Sequence, residues 1–374
     1  LVATCQTLAG LKYNSFVSSP SSAPPSTRFH PTCLPTLPAK PTMTFLIRAA
    51  ILGLAFAAAP AAAELTHYRG LCDASAAVAL GPEHFVVADD ESNILTLYRR
   101  GQSEATATLD LTTYLGRAGG KAREADLEGA ARIGDRIYWI ASHGRNSKGK
   151  LQETRRQLFA TDLVTTAAGP SLKAATTAPY LKLIEDLVAD PRFAAVATAS
   201  AQAIAAEAAG GLNIEGLAAT PAGELLIGFR NPLPQGKALL LRLKNPAAVI
   251  ERAAPPVFGD PILLDLGGRA IRSIDHVGRV FLIVAGPFDG GKESGKGFAL
   301  YTWSGEAADV PQRRRDVDFG KLRPEALFAF PDRQEIYLLS DDGDEEVDGR
   351  NCKDKKVPAS KKSFRGVALR FPGP

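Results

Sequence analysis

The chain has a single methionine, four cysteines and no acidic residue before Glu64. The methionine, Met43, opens MTFLIRAAILGLAFAAAPAAAE. Arg48 supplies a positive start, residues 49–59 are apolar, and Ala61-Ala62-Ala63 offers a small-residue cleavage site before Glu64. This is the pattern of a secretory signal peptide over residues 43–63. The apolar run is short of the roughly 20 residues that span a bilayer. No later stretch is apolar enough to serve as a membrane anchor. Residues 1–42, rich in Ser, Thr and Pro, read as upstream sequence or as a disordered extension. The folded part is expected to be residues 64–374.

Excess charge is missing as well. All 40 acids follow residue 63, while four of the 44 bases (Lys12, Arg28, Lys40 and Arg48) precede it. The remainder carries no net charge, which excludes nucleic-acid binding through bulk charge. Two cysteines are left, Cys72 and Cys352, one near each end. In an oxidising compartment a disulfide between them is expected, with two unrelated thiols as the alternative. A bridge over so long a loop contributes at most about 5 kcal/mol. No HExxH, no cysteine-based zinc spacing and no Gly-x-Ser-x-Gly elbow occurs, so the common signatures of metalloprotease and serine-hydrolase chemistry are absent.

What is present is repetition. Five stretches share one plan: a leading acid, a short apolar run, a Gly turn, a strongly apolar strand and a polar strand end. They are CDASAAVALGPEHFVVADDESN, EADLEGAARIGDRIYWIASHGRN, NIEGLAATPAGELLIGFRN, IRSIDHVGRVFLIVAG and LRPEALFAFPDRQEIYLLSDDGDE. Each is followed by further strand-like sequence. Strands of 5–8 residues, about four per unit, describe an all-β fold: a β-propeller of five or six four-stranded blades. A pair of β-sandwiches is the runner-up. Between the second and third units, about 179–208, apolar positions fall at helical spacing, Pro191 breaks them and an Ala-rich run follows. This reads as a helical insertion. A closed ring brings the chain ends into one blade, places a Cys72–Cys352 bridge at that seam, leaves few free edges and predicts a monomer.

The blocks CDASAAV, FVVADDESN, EADLEGAARIGDRIYWIASHGRN, NIEGLAATPAGELLIGFRNPLPQGKALL, IRSID and PEAL…LLSDDGD resemble the bacterial family gathered as domain of unknown function 3616. The likeness covers roughly residues 68–370 and implies no activity. More distantly, the acid-Gly pairs of DLEG and NIEG are similar to esterase-like and phytase-like secreted propellers, a similarity too short to transfer residues.

Two constellations could carry chemistry. The leading acids Asp73, Asp126, Glu128, Glu215, Asp275 and Glu325 fall on one ring if the units are blades. They are candidate ligands for a hard cation such as Ca²⁺, which takes six to eight oxygens. Otherwise they pair with arginines and hold neighbouring blades together. The strand ends Arg145-Asn146 and Arg230-Asn231, with Arg272, are candidates for gripping a small anionic ligand. His143 and Glu128 are candidate catalytic groups, with a structural hydrogen-bonding role open for His143. The acidic run 340–349 reads as a solvated loop, Asp89-Asp90-Glu91 as a turn, and Trp139 and Trp303 as core. These readings leave two functions, a metal-assisted hydrolase of phosphoester or other anionic substrates and a non-catalytic binding propeller.

Overall fold

The computed structural model describes residues 65–116, 123–167, 169–289, 295–330 and 334–371. The expected signal peptide, 43–63, and the stretch expected to precede it, 1–42, lie outside them. The strands in chain order are β1 (Leu65–Arg69), β2 (Ala76–Ala79), β3 (His84–Ala88), β4 (Ile94–Arg99), β5 (Ala105–Asp110), β6 (Leu127–Ile133), β7 (Arg136–Ala141), β8 (Leu158–Thr166) and β9 (Gly169–Ala174). Then come β10 (Asn213–Ala219), β11 (Leu225–Asn231), β12 (Ala238–Leu243), β13 (Ile262–Leu264), β14 (Ala270–Val277), β15 (Val280–Gly286), β16 (Ala299–Trp303) and β17 (Gln312–Arg314). The last are β18 (Pro324–Ala329), β19 (Glu335–Ser340), β20 (Glu346–Val347), β21 (Arg350–Asn351) and β22 (Ser363–Arg370).

They form four antiparallel blades of consecutive strands, β2–β5, β6–β9, β10–β13 and β14–β17, and a fifth in the order β18-β19-β22-β1. The innermost strands β2, β6, β10, β14 and β18 pack one on the next and return to β2. The fold is a five-bladed β-propeller. The N-terminal strand supplies the outer edge of the last blade, pairing Leu65 to Arg69 with Val367 to Ser363. The strand that opens the described chain therefore closes the ring.

Each central strand is buried on both faces, which is why its sequence reads as an unbroken apolar run. In β7, Ile137 and Trp139 join a cluster with Val86 and Leu97 of the first blade. Tyr138 and Ile140 join another with Leu217 and Ile227 of the third. The remaining three blade interfaces have clusters of the same kind. The one at the seam is aromatic, with Tyr68 stacked on Phe364 and edge-on to Phe85. Trp139 and Trp303 are both core.

The expected bridge is present. Cys72, in the link from β1 to β2, is joined to Cys352 in the last blade's long loop, with Cα atoms 5.8 Å apart. The insertion holds two short helices, α1 (Leu183–Ala189) and α2 (Ala194–Ala201), and no sixth blade among the described residues. The second helix stops at Ala201, short of the expected 208, because Gln202 turns extended at ψ 132°. The chain thereby brings Ala205, Ala206 and Glu207 over the propeller axis. No helix among the described residues is long and apolar enough to cross a membrane.

Candidate functional site

Four of the five innermost strands carry a β-bulge near their start. Pairing skips one residue between Leu127 and Gly129, between Ile214 and Gly216, between Ile271 and Ser273, and between Pro324 and Ala326. The skipped residues are Glu128, Glu215, Arg272 and Glu325. A bulged residue leaves the ladder and its side chain is re-aimed. All four line one axial chamber of about 590 Å³.

The residue after each bulge is small: Gly129, Gly216, Ser273 and Ala326. A Cβ on Gly129 would lie 2.9 Å from Leu217 Cβ, and one on Gly216 would lie 2.8 Å from Ile271 Cγ2. Ser273 instead accepts a hydrogen bond from Leu327 N at 3.0 Å. The acid-Gly pairs of DLEG and NIEG are thus an aimed carboxylate followed by the spot where two innermost strands nearly touch.

One side of the chamber is a chain of buried ion pairs. Glu215 meets Arg230 Nη1 at 2.8 Å and Arg272 Nε at 2.8 Å. Arg272 also meets Glu325 and donates to Pro287 O at 3.1 Å. Arg230 donates to Phe288 O at 2.7 Å and pairs with Glu207 at 3.2 Å. Burial pulls Arg272 down, but Glu215, Glu325 and Glu128 outweigh it and hold the guanidinium above its ordinary value. Burial pushes Glu325 up to about 7 against the pull of Arg272. These contacts tie the third, fourth and fifth blades together and occupy both arginines.

The opposite side is acidic. Asp90, Asp126 and Glu128 bring one carboxylate oxygen each within 4.8 Å of the others. Two oxygens that share a Ca²⁺ at about 2.4 Å lie at most about 4.8 Å apart. Asp126 pairs with Arg155 at 2.9 Å. Glu128 meets no base within ion-pair distance among the described residues. Burial, then the surrounding carboxylates, push Glu128 well above its ordinary range, and Asp90 likewise. Burial lifts Asp126 to about 6, with Arg155 opposing. Asp126 has φ 60°, an unusual backbone conformation that Asp tolerates better than most residues. Asn213 is 3% exposed. It lines the same chamber with an amide oxygen that finds no partner among the described residues. In all, nine carboxylates and six bases face the chamber, so it is short of positive charge.

Arg145 lines the chamber too, but its guanidinium meets only the carbonyls of Gly149 and Ser200, at 3.2 and 3.3 Å. It has no carboxylate partner among the described residues. Asn146 closes a turn by accepting from Lys148 N and Lys150 N.

Several candidates stand elsewhere. Asp275 is not on the ring: the bulge takes Arg272, and Asp275 instead accepts from His276 N and Ala329 N at 2.8 and 3.2 Å. Asn231 donates to Ala206 O at 3.0 Å, holding the insertion, and does not line the chamber. His143 is buried outside the chamber lining, at φ 55°. Its Nδ1 lies 2.8 Å from Ala141 O and its Nε2 has no partner among the described residues. Burial holds it down at about 4, so the ring is neutral. Asp73 packs against Gly343, at the seam. Burial, then a hydrogen bond to Asp341, push Asp73 up to about 11.

Sequence reasoning missed Asp90, which stands at the end of the second strand of its blade, as Arg230 and Asp341 do in theirs. That shared position was the available signal. The acidic run is also less solvated than expected: Asp342 is buried and pairs with Arg365 at 2.6 Å. Arg155 ends a single helical turn, Glu153–Arg155, with no repeat counterpart to single it out.

Fold and chamber define a five-bladed propeller with a charged axial site. Over residues 157–325 the chain matches the family described as "Protein of unknown function (DUF3616)", the family its sequence blocks resemble. No curated protein matches it. Among solved structures, the putative oxidoreductase (glucose dehydrogenase) of Thermus thermophilus is 14% identical with a TM-score of 0.40, the match covering 82% of this chain and 100% of that one. Glutaminyl cyclase from Myxococcus xanthus is 11% identical with a TM-score of 0.40, over 83% and 97%. The PQQ-bound aldose sugar dehydrogenase from Streptomyces coelicolor is 10% identical with a TM-score of 0.37, over 83% and 99%. Likenesses this distant say nothing of the chemistry here.

Proposed function

We infer that the axial chamber binds a hard divalent cation, with Ca²⁺ the best fit, and uses it to hydrolyse a small anionic substrate of the phosphoester class. The observation that carries this is the trio Asp90, Asp126 and Glu128, whose ligand oxygens lie within 4.8 Å of one another in a chamber with more carboxylates than bases. Like charges this close raise each other's pKa unless a cation intervenes. All-oxygen ligation favours Ca²⁺ over softer metals. The unpartnered amide oxygen of Asn213 adds a neutral donor to the same wall. A bound cation would polarise a phosphoryl oxygen and lower the pKa of a coordinated water. Arg145, uncommitted to any acid, would hold the substrate's negative charge. Arg230, Arg272, Glu215 and Glu325 are assigned to holding the blades.

The protein is further read as exported through the 43–63 leader, in keeping with the Cys72–Cys352 bridge. The mass of the chain recovered from a secreting host tests that point, with an N-terminus at Glu64 expected.

Function is tested with p-nitrophenyl phosphate and a carboxylic ester, with Ca²⁺ and with EDTA. Turnover of the phosphoester that needs Ca²⁺ and is lost in Glu128→Gln is expected. Arg145→Met is expected to raise KM while leaving Ca²⁺ binding unchanged. Ca²⁺ binding without turnover of either compound would refute the hydrolase and leave the binding propeller.

A further inference from the structure

A second acidic group adjoins the first. Asp73, Asp89 and Asp90 also bring one oxygen each within 4.8 Å of one another, and Asp90 belongs to both groups. Asp89 and Asp90 follow β3 of the first blade. Asp73 lies in the link that arrives from the last blade, next to Cys72 of the disulfide. It is 4% exposed, and its Oδ1 has no hydrogen-bond partner among the described residues. An oxygen buried without a partner costs folding free energy, and the carboxyl it belongs to stands among acids, Asp89 and Asp90 beside it and Asp341 hydrogen-bonded to it. The space around it is kept by Gly343: a Cβ there would lie 2.1 Å from Asp73 Oδ1 and 2.6 Å from Oδ2. Asp90 Oδ1 is likewise buried without a partner among the described residues.

We propose that the protein binds two hard divalent cations, with the Asp90 carboxylate bridging them: one in the chamber with Asp126 and Glu128, the other behind it with Asp73 and Asp89. This extends the cation reading above and rests on it. A carboxylate has two oxygens and can give one to each ion. The chamber ion faces substrate. The rear ion has no chamber-lining ligand except Asp90, so its role is to join the first blade to the seam and fix the carboxylate on which the chamber ion rests. Asp73 and Asp89 are thus positioning residues, acting on the chamber through Asp90.

The test counts bound Ca²⁺ on the purified protein, stripped with EDTA and re-equilibrated with Ca²⁺, by isothermal titration and by elemental analysis after desalting. Two ions per chain are expected. Asp73→Asn is close in size and removes only the rear site, leaving one ion. Glu128→Gln removes the other, also leaving one, and Asp90→Asn leaves none. Circular dichroism in EDTA checks that each variant keeps the wild-type fold; for a variant that does not, titration of the wild type alone still gives the count. One ion in the wild type, with Asp73→Asn unchanged, overturns the rear site and leaves the chamber site standing. No ion at all overturns both.

Discussion

Glu215→Gln tests how the arginines are used. The substitution keeps the shape of a side chain that is 3% exposed and removes its charge. It leaves Arg230 and Arg272, both buried, without the carboxylate they share at 2.8 Å each. Removing one partner of a buried pair costs about 3–5 kcal/mol, because the remaining charge stays desolvated. Here each arginine retains a second acid, Arg272 with Glu325 and Arg230 with Glu207. The expected loss is therefore at the low end, about 3 kcal/mol. For a chain of this size that is roughly 5–10 °C in Tm. Urea unfolding at pH 7, followed by tryptophan fluorescence, measures it. Glu207→Gln is the control. That acid is about half exposed, and its loss should cost under about 1 kcal/mol. A loss below about 1 kcal/mol in Glu215→Gln would show that the pairs do not hold the blades. Both arginines would then be free for ligand, contrary to their role as ties between blades.

Three further outcomes follow from the packing and burial. His143, held at about 4 by burial, binds fewer protons folded than unfolded between that value and its ordinary 6.5. Stability from this group is full above pH 6.5 and is lost as pH falls through 4, a span of roughly 3 kcal/mol; His143→Asn should flatten that acid slope in urea midpoints, and an unchanged slope contradicts it. Gly129→Ala puts a Cβ 2.8 Å from Ile140 Cγ2 and 3.1 Å from Leu217 N, and should cost about 1–3 kcal/mol by overpacking, read as a lowered urea midpoint. Replacing Cys72 and Cys352 by Ala releases a constraint over 280 residues and should cost roughly 2–5 kcal/mol; a variant as stable as the oxidised parent would mean that β1 alone secures the ring.

The blades were legible because a strand buried on both sides must be apolar at every position, and VFLIVAG or RIYWIAS admits few other readings. The number of blades was harder to fix. Helices α1 and α2 occupy a span long enough for another unit, and only their packing on the second and third blades excludes one. Glu128, Glu215, Glu325 and Arg272 could be found as the residues that open each repeat. Asp275 was misplaced because a bulge shifts the pairing by one residue and leaves no mark in apolar spacing. Asp90 was hidden for a different reason: an acid after a strand usually starts a turn, and Asp89 does so here by accepting from Glu91 N. Asp90 departs from that habit because residues distant in sequence, Asp126 and Glu128, surround it. Arg155 had no repeat partner to point to it.

The bulged positions separate the framework from its contents. A residue that takes no part in ladder pairing can be exchanged without breaking a cross-strand hydrogen bond, whereas a Cβ on its successor Gly129 or Gly216 would press on the neighbouring blade. Glu128, Glu215, Arg272 and Glu325 occupy four equivalent positions on a fixed frame, and three of them, Glu215, Arg272 and Glu325, are matched to one another in charge. Arg272 already carries the opposite sign to its three counterparts. Selection, or an engineer, could rewrite Glu128 by itself, whereas Glu215, Arg272 and Glu325 would have to change as a matched set for the ring to keep its ties.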